Sequence, residues 1–294
     1  MNFETLENFY SSGKAHLEKR PIALIFAEDQ IFAEDQAEIV STLQHHIKVG
    51  FTKVIAFGMD FSVIPDDLLK ACVTVKTNLY EEVLPFEIVT KVNDLAVGQW
   101  VYYCFNAEYL FYPFCETRSV KELVTFNAEE RRNVMMCYVI DLYTQDLSRF
   151  SQGISLTEAY FDSKGYYALA RKDETNAHPK ERQLDIFGGL KRRFEEYVPY
   201  NKRRIDRMAL FNCTENLSLN SDFTFNEDEY NTYSCPWHNN LTAAIMSFRT
   251  VKAFRINPAA KRDIENFNWE NSERFRWHSQ QLLDLGFIEP RQWF

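Results

Sequence analysis

Two oxygen-bearing side chains, Asn106 and Glu108, follow directly after an apolar run at Val101–Phe105. Such a run is typical of a strand buried in a parallel sheet, and open α/β sheets bind ligands at the carboxyl ends of their strands. Positions 106 and 108 share one face of an extended chain, so both side chains could reach one divalent cation or one pair of hydroxyl groups. The alternative is that Asn106 caps a turn and Glu108 lies in solvent.

Strands and helices alternate through the first half of the chain, which places Asn106 at the end of a fourth strand. Apolar runs predict buried strands at 22–26, 53–57, 72–75, 100–105 and 133–142, with another starting at 207. Apolar spacing predicts helices at 2–18, 37–49, 66–71, 84–95 and 119–130. This alternation predicts an α/β fold whose central sheet is mostly parallel and flanked by helices.

The C-terminal part of the chain is predicted to be helical. Apolar spacing favours one helix at 241–254 and another at 259–285, which ends at Gly286. We therefore expect one domain at 1–240 and a helical extension at 241–294 packed on the same domain. An exact tandem repeat of Ile-Phe-Ala-Glu-Asp-Gln at 25–36 is too short for a solenoid. It is either a small insertion that lengthens the loop after the first strand or a sequence accident.

Composition limits the classes of function. The chain has 294 residues, of which 46% are hydrophobic, so it can bury a sizeable core. A net charge of −9 argues against general nucleic-acid binding. The N-terminus lacks the features of a signal peptide, no apolar run approaches about 18 residues, and the cysteines lack CxxC spacing. We expect a soluble cytoplasmic protein with reduced cysteines, no nucleic-acid partner and no transmembrane segment.

Three segments resemble glycosyltransferase family 2-like proteins, which have the GT-A fold. The first is the helix end Gln44–Phe51, with a histidine pair, and the strand Val54–Phe57 after it. The second is Gln99–Glu108, with a tryptophan, an apolar strand, and Asn-Ala-Glu where the family has Asp-x-Asp. The third runs from Asp185–Arg193 to Trp237–Asn240 and resembles the acceptor-side half. The resemblance implies a GT-A-like, Rossmann-like sheet.

The resemblance also implies a nucleotide-sugar donor and a divalent cation, Mn²⁺ or Mg²⁺, that neutralises the leaving diphosphate. Asn106 and Glu108 match the metal-binding carboxylates, and His238 matches a late histidine of the family. An asparagine in place of a carboxylate lowers the expected metal affinity. The residues expected to contact the donor are Glu34, Asp35, Asp60, Lys191 and Arg192. The alternatives are a structural histidine at 238 and a solvated basic helix face at 191–207.

An inverting sugar transfer needs a carboxylate that accepts the proton of the attacking hydroxyl. The candidates are Asp141, at the end of a predicted strand, and the acidic cluster Glu227, Asp228 and Glu229, for which a solvated loop is the alternative. The expected function is transfer of a sugar from a nucleotide-diphosphate donor to a saccharide or lipid-linked glycan. The rival function is that of a catalytically inactive GT-A-fold protein that binds glycans or serves as an assembly partner.

Overall fold

The computed structural model of the chain describes residues 1–18, 20–27, 36–173, 175–234 and 240–293. Within these ranges the strands are β1 Asn2–Phe3, β2 Ile22–Phe26, β3 Lys53–Gly58, β4 Val73–Lys76, β5 Trp100–Phe105, β6 Glu108–Phe111, β7 Val134–Tyr143, β8 Tyr160–Asp162, β9 Tyr167–Lys172, β10 Pro179–Phe187, β11 Asp206–Asn212, β12 Ala243–Ser247 and β13 Ser272–Arg274. The helices are α1 Leu6–Ser12, α2 Lys14–Leu17, α3 Gln36–Lys48, α4 Asp66–Ala71, α5 Pro85–Leu95, α6 Val120–Glu129, α7 Gly189–Arg193, α8 Arg249–Ile256, α9 Pro258–Asp263 and α10 Ser279–Asp284. None of these described helices has the length and apolar character needed to cross a membrane.

The chain divides into two compact units. Unit 1 consists of Met1–Tyr109, Cys115–Met135 and Met208–Asn231, and unit 2 consists of Leu110–Phe114, Met136–Arg207 and Thr232–Phe294. The chain therefore passes between the units several times. No boundary of either unit falls at residue 240, the predicted division.

The sheet of unit 1 has the strand order β1-β4-β3-β2-β5-β11. Its neighbours from β1 to β5 are parallel, and β11 is antiparallel to β5. Helices α3, α4 and α5 each connect one parallel strand to the next along the chain. Every residue of β2 is buried, as expected for a parallel strand covered on both faces. The predicted α/β class with a mostly parallel sheet is confirmed, and the GT-A fold stays a prediction.

The order of the parallel strands reverses between β2 and β5. From β2 the chain proceeds to β3 and β4 on one side, and α5 then returns it to β5 on the other side of β2. Such a reversal is the topological switch point, outside which doubly wound sheets bind their ligands. This point lies in unit 1, where β2 and β5 pair from Ile22 opposite Val101 to Phe26 opposite Phe105.

The crossover helices begin where the sequence supplies suitable first residues. Helix α5 has Pro85 in its first turn, and the Glu87 carboxylate accepts from the Leu84 backbone N–H at 2.8 Å. Helix α6 begins with a capping box in which Ser119 and Glu122 satisfy each other's backbone N–H groups. These contacts fix the helix starts because they satisfy donors that have no partner within the helix.

In unit 2, β12 pairs in parallel with β7, from Ala243 opposite Cys137 to Ser247 opposite Asp141. This pairing corrects the prediction of a helix from residue 241, because α8 begins only at Arg249. The five residues of β12 are all buried, and only one residue separates them from α8, so the apolar positions of strand and helix merge into one pattern of helical spacing. The second predicted helix is replaced by α9, β13 and α10, so the segment after residue 240 is not the expected helical extension.

Candidate functional site

Asn106 lies at the switch point of unit 1. It follows β5 directly, and its backbone N–H donates to the Phe26 carbonyl at the end of β2, at 2.9 Å. The predicted position of Asn106, at the carboxyl edge of a central parallel strand, is therefore observed. Its side chain is 6% exposed.

The residues after β5 form a tight, buried turn. Ala107 adopts a φ of 59°, and its N–H donates to Asn106 Oδ1 at 2.9 Å and to Thr42 Oγ1 on α3 at 3.0 Å. Glu108 is 0% exposed, and its Oε2 accepts from the Phe105 backbone N–H at 2.9 Å. A non-glycine residue in the left-handed region costs about 1–2 kcal/mol, and these hydrogen bonds offset part of that strain.

The expectation that Glu108 faces an open cleft is wrong. The left-handed Ala107 ends the extended chain, so positions 106 and 108 do not alternate as they would in a strand, and the Glu108 carboxylate turns back to its own backbone. Together with the engaged Asn106 Oδ1, this arrangement does not fit a divalent-cation site. Among the described residues, no group of three or more His, Cys, Asp or Glu side chains could hold a metal ion. His238, the third predicted ligand, lies outside the described residues.

Helix α3 supplies the polar groups that surround this turn. The Thr42 hydroxyl donates to the Glu38 carbonyl at 2.8 Å, and the Ser41 and Tyr109 hydroxyls share a hydrogen bond of 2.6 Å. Burial raises the pKa of Tyr109, and the negative charge of Glu38 adds to the increase. Glu38 itself is buried. The turn is therefore flanked by two buried acidic side chains, Glu38 and Glu108.

His46, which belongs to the histidine pair at the end of α3, is a structural side chain. Burial, with a smaller contribution from His45, lowers the pKa of His46 to about 3. Its Nδ1 lies 2.8 Å from the Thr42 carbonyl, and its ring stacks on Tyr102 with centroids 5.3 Å apart. A neutral imidazole whose Nδ1–H donates to a backbone carbonyl explains these contacts.

Asp141 is a buried carboxylate of unit 2. It lies on β7 opposite Ser247 and is 1% exposed. Burial raises the pKa of Asp141, and the nearby Lys191 charge and a hydrogen bond with Thr250 oppose the shift. Asp141 Oδ2 accepts from the Lys191 backbone N–H at 3.4 Å, whereas Oδ1 has no hydrogen-bond partner among the described residues. A buried oxygen without a partner is costly, and buried groups of this kind concentrate at functional sites.

The Gly188-Gly189 pair is required by the packing around Asp141. Gly189 has a φ of +64°, and a Cβ at this position would lie 2.8 Å from Asp141 Oδ2. A Cβ on Gly188 would overlap the ring of Tyr166. The two glycines allow the backbone that leads into α7 to approach the buried carboxylate closely.

Lys191 and Arg192, both predicted to contact the donor, contact other parts of unit 2. Lys191 Nζ donates to the Arg204 carbonyl at 3.2 Å. Arg192 donates to the Gly165 carbonyl at 2.8 Å, and its guanidinium lies 5.1 Å from the centroid of the Tyr167 ring. These contacts are those of a structured, partly solvated surface, and the predicted role in donor binding stays a prediction.

The remaining predicted residues lie on exposed segments or outside the described chain. Asp60 is exposed and accepts from the Ser62 N–H at 2.8 Å, and this hydrogen bond lowers the pKa of its carboxyl group. Glu227, Asp228 and Glu229 are exposed at a 3₁₀ turn, where Glu229 lies 3.4 Å from Arg132. Glu34 and Asp35 lie outside the described residues.

One buried polar cluster of unit 2 is absent from the sequence-based predictions. Asp162 accepts from Arg193 at 2.7 and 3.1 Å, from the Tyr143 hydroxyl at 2.6 Å and from the Trp269 indole at 2.8 Å. These partners are far apart in the sequence, so no local spacing marks them. Because the carboxylate is well satisfied, the cluster explains the packing of unit 2 rather than a reaction.

No known protein family and no curated protein sequence matches this chain. Among solved structures, it is similar to HddC from Yersinia pseudotuberculosis, with 8% identity, 77% of this chain and 90% of that chain covered, and a TM-score of 0.30. It is also similar to a UDP-glucose pyrophosphorylase solved with UDP-glucose, with 8% identity, 65% and 73% covered, and a TM-score of 0.26. Similarities at this level carry no argument for a shared activity, and the resemblance to glycosyltransferases stays a prediction.

Proposed function

We propose that the chain binds a nucleotide sugar at the switch point of unit 1 and transfers the sugar to a saccharide or lipid-linked glycan acceptor. The observation that carries the proposal is the reversal of strand order between β2 and β5, with Asn106 at that point. Parallel sheets with this reversal bind nucleotides outside the carboxyl ends of the two strands.

The strained turn after β5 supports the same location. Ala107 lies in the left-handed region, its N–H donates to Asn106 and to Thr42 of α3, and it is fully buried. Strained backbone that its surroundings hold in place is concentrated at ligand sites and active sites.

Within unit 2, we propose Asp141 as a carboxylate able to act as a general base. Its raised pKa brings the carboxyl group closer to neutral pH, where a base is most effective, and its Oδ1 makes no competing hydrogen bond within the described residues.

The second candidate function is non-catalytic binding of a glycan. The engagement of the Glu108 carboxylate by the Phe105 N–H favours it, because a metal-dependent transferase needs such a carboxylate for its cation. The two functions differ in whether turnover accompanies nucleotide binding.

Calorimetric titration of UDP, GDP and CDP, each with and without Mn²⁺, tests donor binding. We expect one of the three to bind, and binding of none would reject the proposal. Turnover of the corresponding nucleotide sugar is then compared between wild type, Asp141→Asn and the exposed control Asp284→Asn. Loss of a general base is expected to lower the rate about 100-fold or more, with nucleotide affinity unchanged. Nucleotide binding without turnover in the wild type would favour the glycan-binding function.

A further inference from the structure

The Ala107 backbone N–H determines which atom of the Asn106 amide is the oxygen and which is the nitrogen. The Ala107 backbone N–H can only donate, so the Asn106 atom 2.9 Å from it must be the oxygen. The Thr42 hydroxyl, 3.3 Å away, approaches the same oxygen. Asn106 Nδ2 consequently points away from these partners and makes no hydrogen bond to the described residues, although the side chain is only 6% exposed.

Two buried acidic residues lie near Asn106 in the described chain. The Glu108 carboxylate lies within the same turn, and Glu38 lies one helical turn before Thr42 on α3. The imidazole of His46, one turn after Thr42, is neutral at physiological pH because its pKa is lowered to about 3. The amide nitrogen of Asn106 is an uncharged donor, and beside two acidic side chains it suits an uncharged oxygen, such as a hydroxyl, as its acceptor.

We propose that Asn106 binds a sugar hydroxyl of the nucleotide sugar by donating a hydrogen bond from Nδ2, and that it does not ligate a metal ion. The inference rests on the proposed function, for which it names the chemical group recognised at the switch point. It reverses the role implied by the resemblance, in which the Asn106 oxygen would hold a cation. The hydroxyl belongs either to the ribose or to the transferred sugar. Ligands that lack one of these hydroxyl groups distinguish the two sources.

The test measures the affinities of UDP, 2′-deoxy-UDP, 3′-deoxy-UDP and UDP-glucose, with Mn²⁺ and with EDTA; the GDP or CDP set replaces it if that nucleotide binds more tightly. Wild type is expected to bind with the same affinity, within about 2-fold, in Mn²⁺ and in EDTA. Asn106→Asp keeps the acceptor for Ala107 N–H but loses the donor and adds a carboxylate. The affinity of this variant for a ligand that carries the recognised hydroxyl should fall about 10-fold, both in Mn²⁺ and in EDTA. One neutral hydrogen bond accounts for about 3- to 10-fold of that loss.

The ligand series identifies the hydroxyl. If it belongs to the ribose, one deoxy nucleotide binds wild type about 3- to 10-fold more weakly than UDP and binds Asn106→Asp with the same affinity as UDP. If it belongs to the transferred sugar, UDP binds wild type about 3- to 10-fold more weakly than UDP-glucose, and the two ligands bind Asn106→Asp with the same affinity. Asn220→Asp, which adds the same charge at an exposed position of unit 1, is the control and should leave all affinities unchanged.

Several results would overturn the inference. One is a tenfold increase in the nucleotide affinity of wild type when Mn²⁺ is present. This measurement uses only the wild-type protein, so it does not depend on the folding of a variant. Another is tighter binding by Asn106→Asp in Mn²⁺, the result expected of a metal ligand. Equal weakening of all four ligands by Asn106→Asp would show that no sugar hydroxyl is recognised. Absence of nucleotide binding by wild type rejects the proposed function and this inference with it, whereas the other results leave the proposed function in place.

Discussion

Replacement of Gly189 by alanine tests whether the buried Asp141 carboxylate dictates the backbone next to it. Alanine at a φ of +64° costs about 1–2 kcal/mol whatever its surroundings. Its Cβ would also lie 2.8 Å from Asp141 Oδ2, well inside ordinary contact distance. Because Asp141 is buried and bonded to Lys191 and Thr250, its displacement should add about 1–3 kcal/mol. We therefore expect Gly189→Ala to lower the free energy of unfolding by about 2–5 kcal/mol.

Gly286→Ala is the matched control because Gly286, also in unit 2, has a φ of +74°, and no atom of the described residues other than its chain neighbours lies within 4 Å of the position that a Cβ would occupy. It should lose only the conformational part, about 1–2 kcal/mol. Urea unfolding followed by tryptophan fluorescence compares the two variants. In an Asp141→Ala background the excess loss of Gly189→Ala should disappear. Equal losses for Gly189→Ala and Gly286→Ala would refute the assignment of Asp141 as the constraint.

Three further predictions concern titration and reactivity. Burial raises the folded-state pKa of Asp141, so the stability from its protonated form is complete below the unfolded pKa and is lost as pH rises through the folded pKa. Asp141→Asn should therefore gain stability relative to wild type between pH 4 and pH 8, and a constant difference in urea midpoints would contradict this. His46 has a folded-state pKa lowered to about 3, so its contribution is complete above about 6.5 and is lost as pH falls toward 3. His46→Asn should remove up to about 4 kcal/mol of acid sensitivity in that window, and an unchanged acid limb of the stability profile would contradict it. Cys115 is the half-buried thiol among the described cysteines, whose other members are buried, so native-state labelling should modify it first and Cys115→Ser should remove that fast phase.

The parallel sheet of unit 1 could be predicted because its signal is local. The run at Ile22–Phe26 consists of consecutive apolar residues between a proline and the sequence Ala-Glu-Asp-Gln, and it forms β2 with the predicted bounds. Lys53–Gly58 and Trp100–Phe105 show the same agreement within one residue. In each case the length of the apolar run fits a buried strand better than a helix, and the following segment has helical spacing.

The segment after residue 240 could not be predicted in the same way. Ala243–Ser247 is followed at once by α8, so the apolar positions of the strand and of the helix merge into one pattern of helical spacing. Its pairing with β7, about a hundred residues earlier in the chain, decides in favour of a strand. Likewise, the cost of burying Asp141 depends on Lys191 and Thr250, which no local pattern connects to it.

The turn after β5 shows why a position can be predicted when its chemistry cannot. The apolar strand places Asn106 at the sheet edge, and this follows from the sequence alone. Whether its oxygen or its nitrogen meets a ligand depends on the Ala107 N–H, which donates to Asn106 Oδ1. The φ of 59° at Ala107 turns Glu108 back to Phe105 and separates the pair that the alternation of an extended strand would place together. With the oxygen engaged by the backbone, the amide nitrogen is the group of Asn106 that can distinguish one ligand from another.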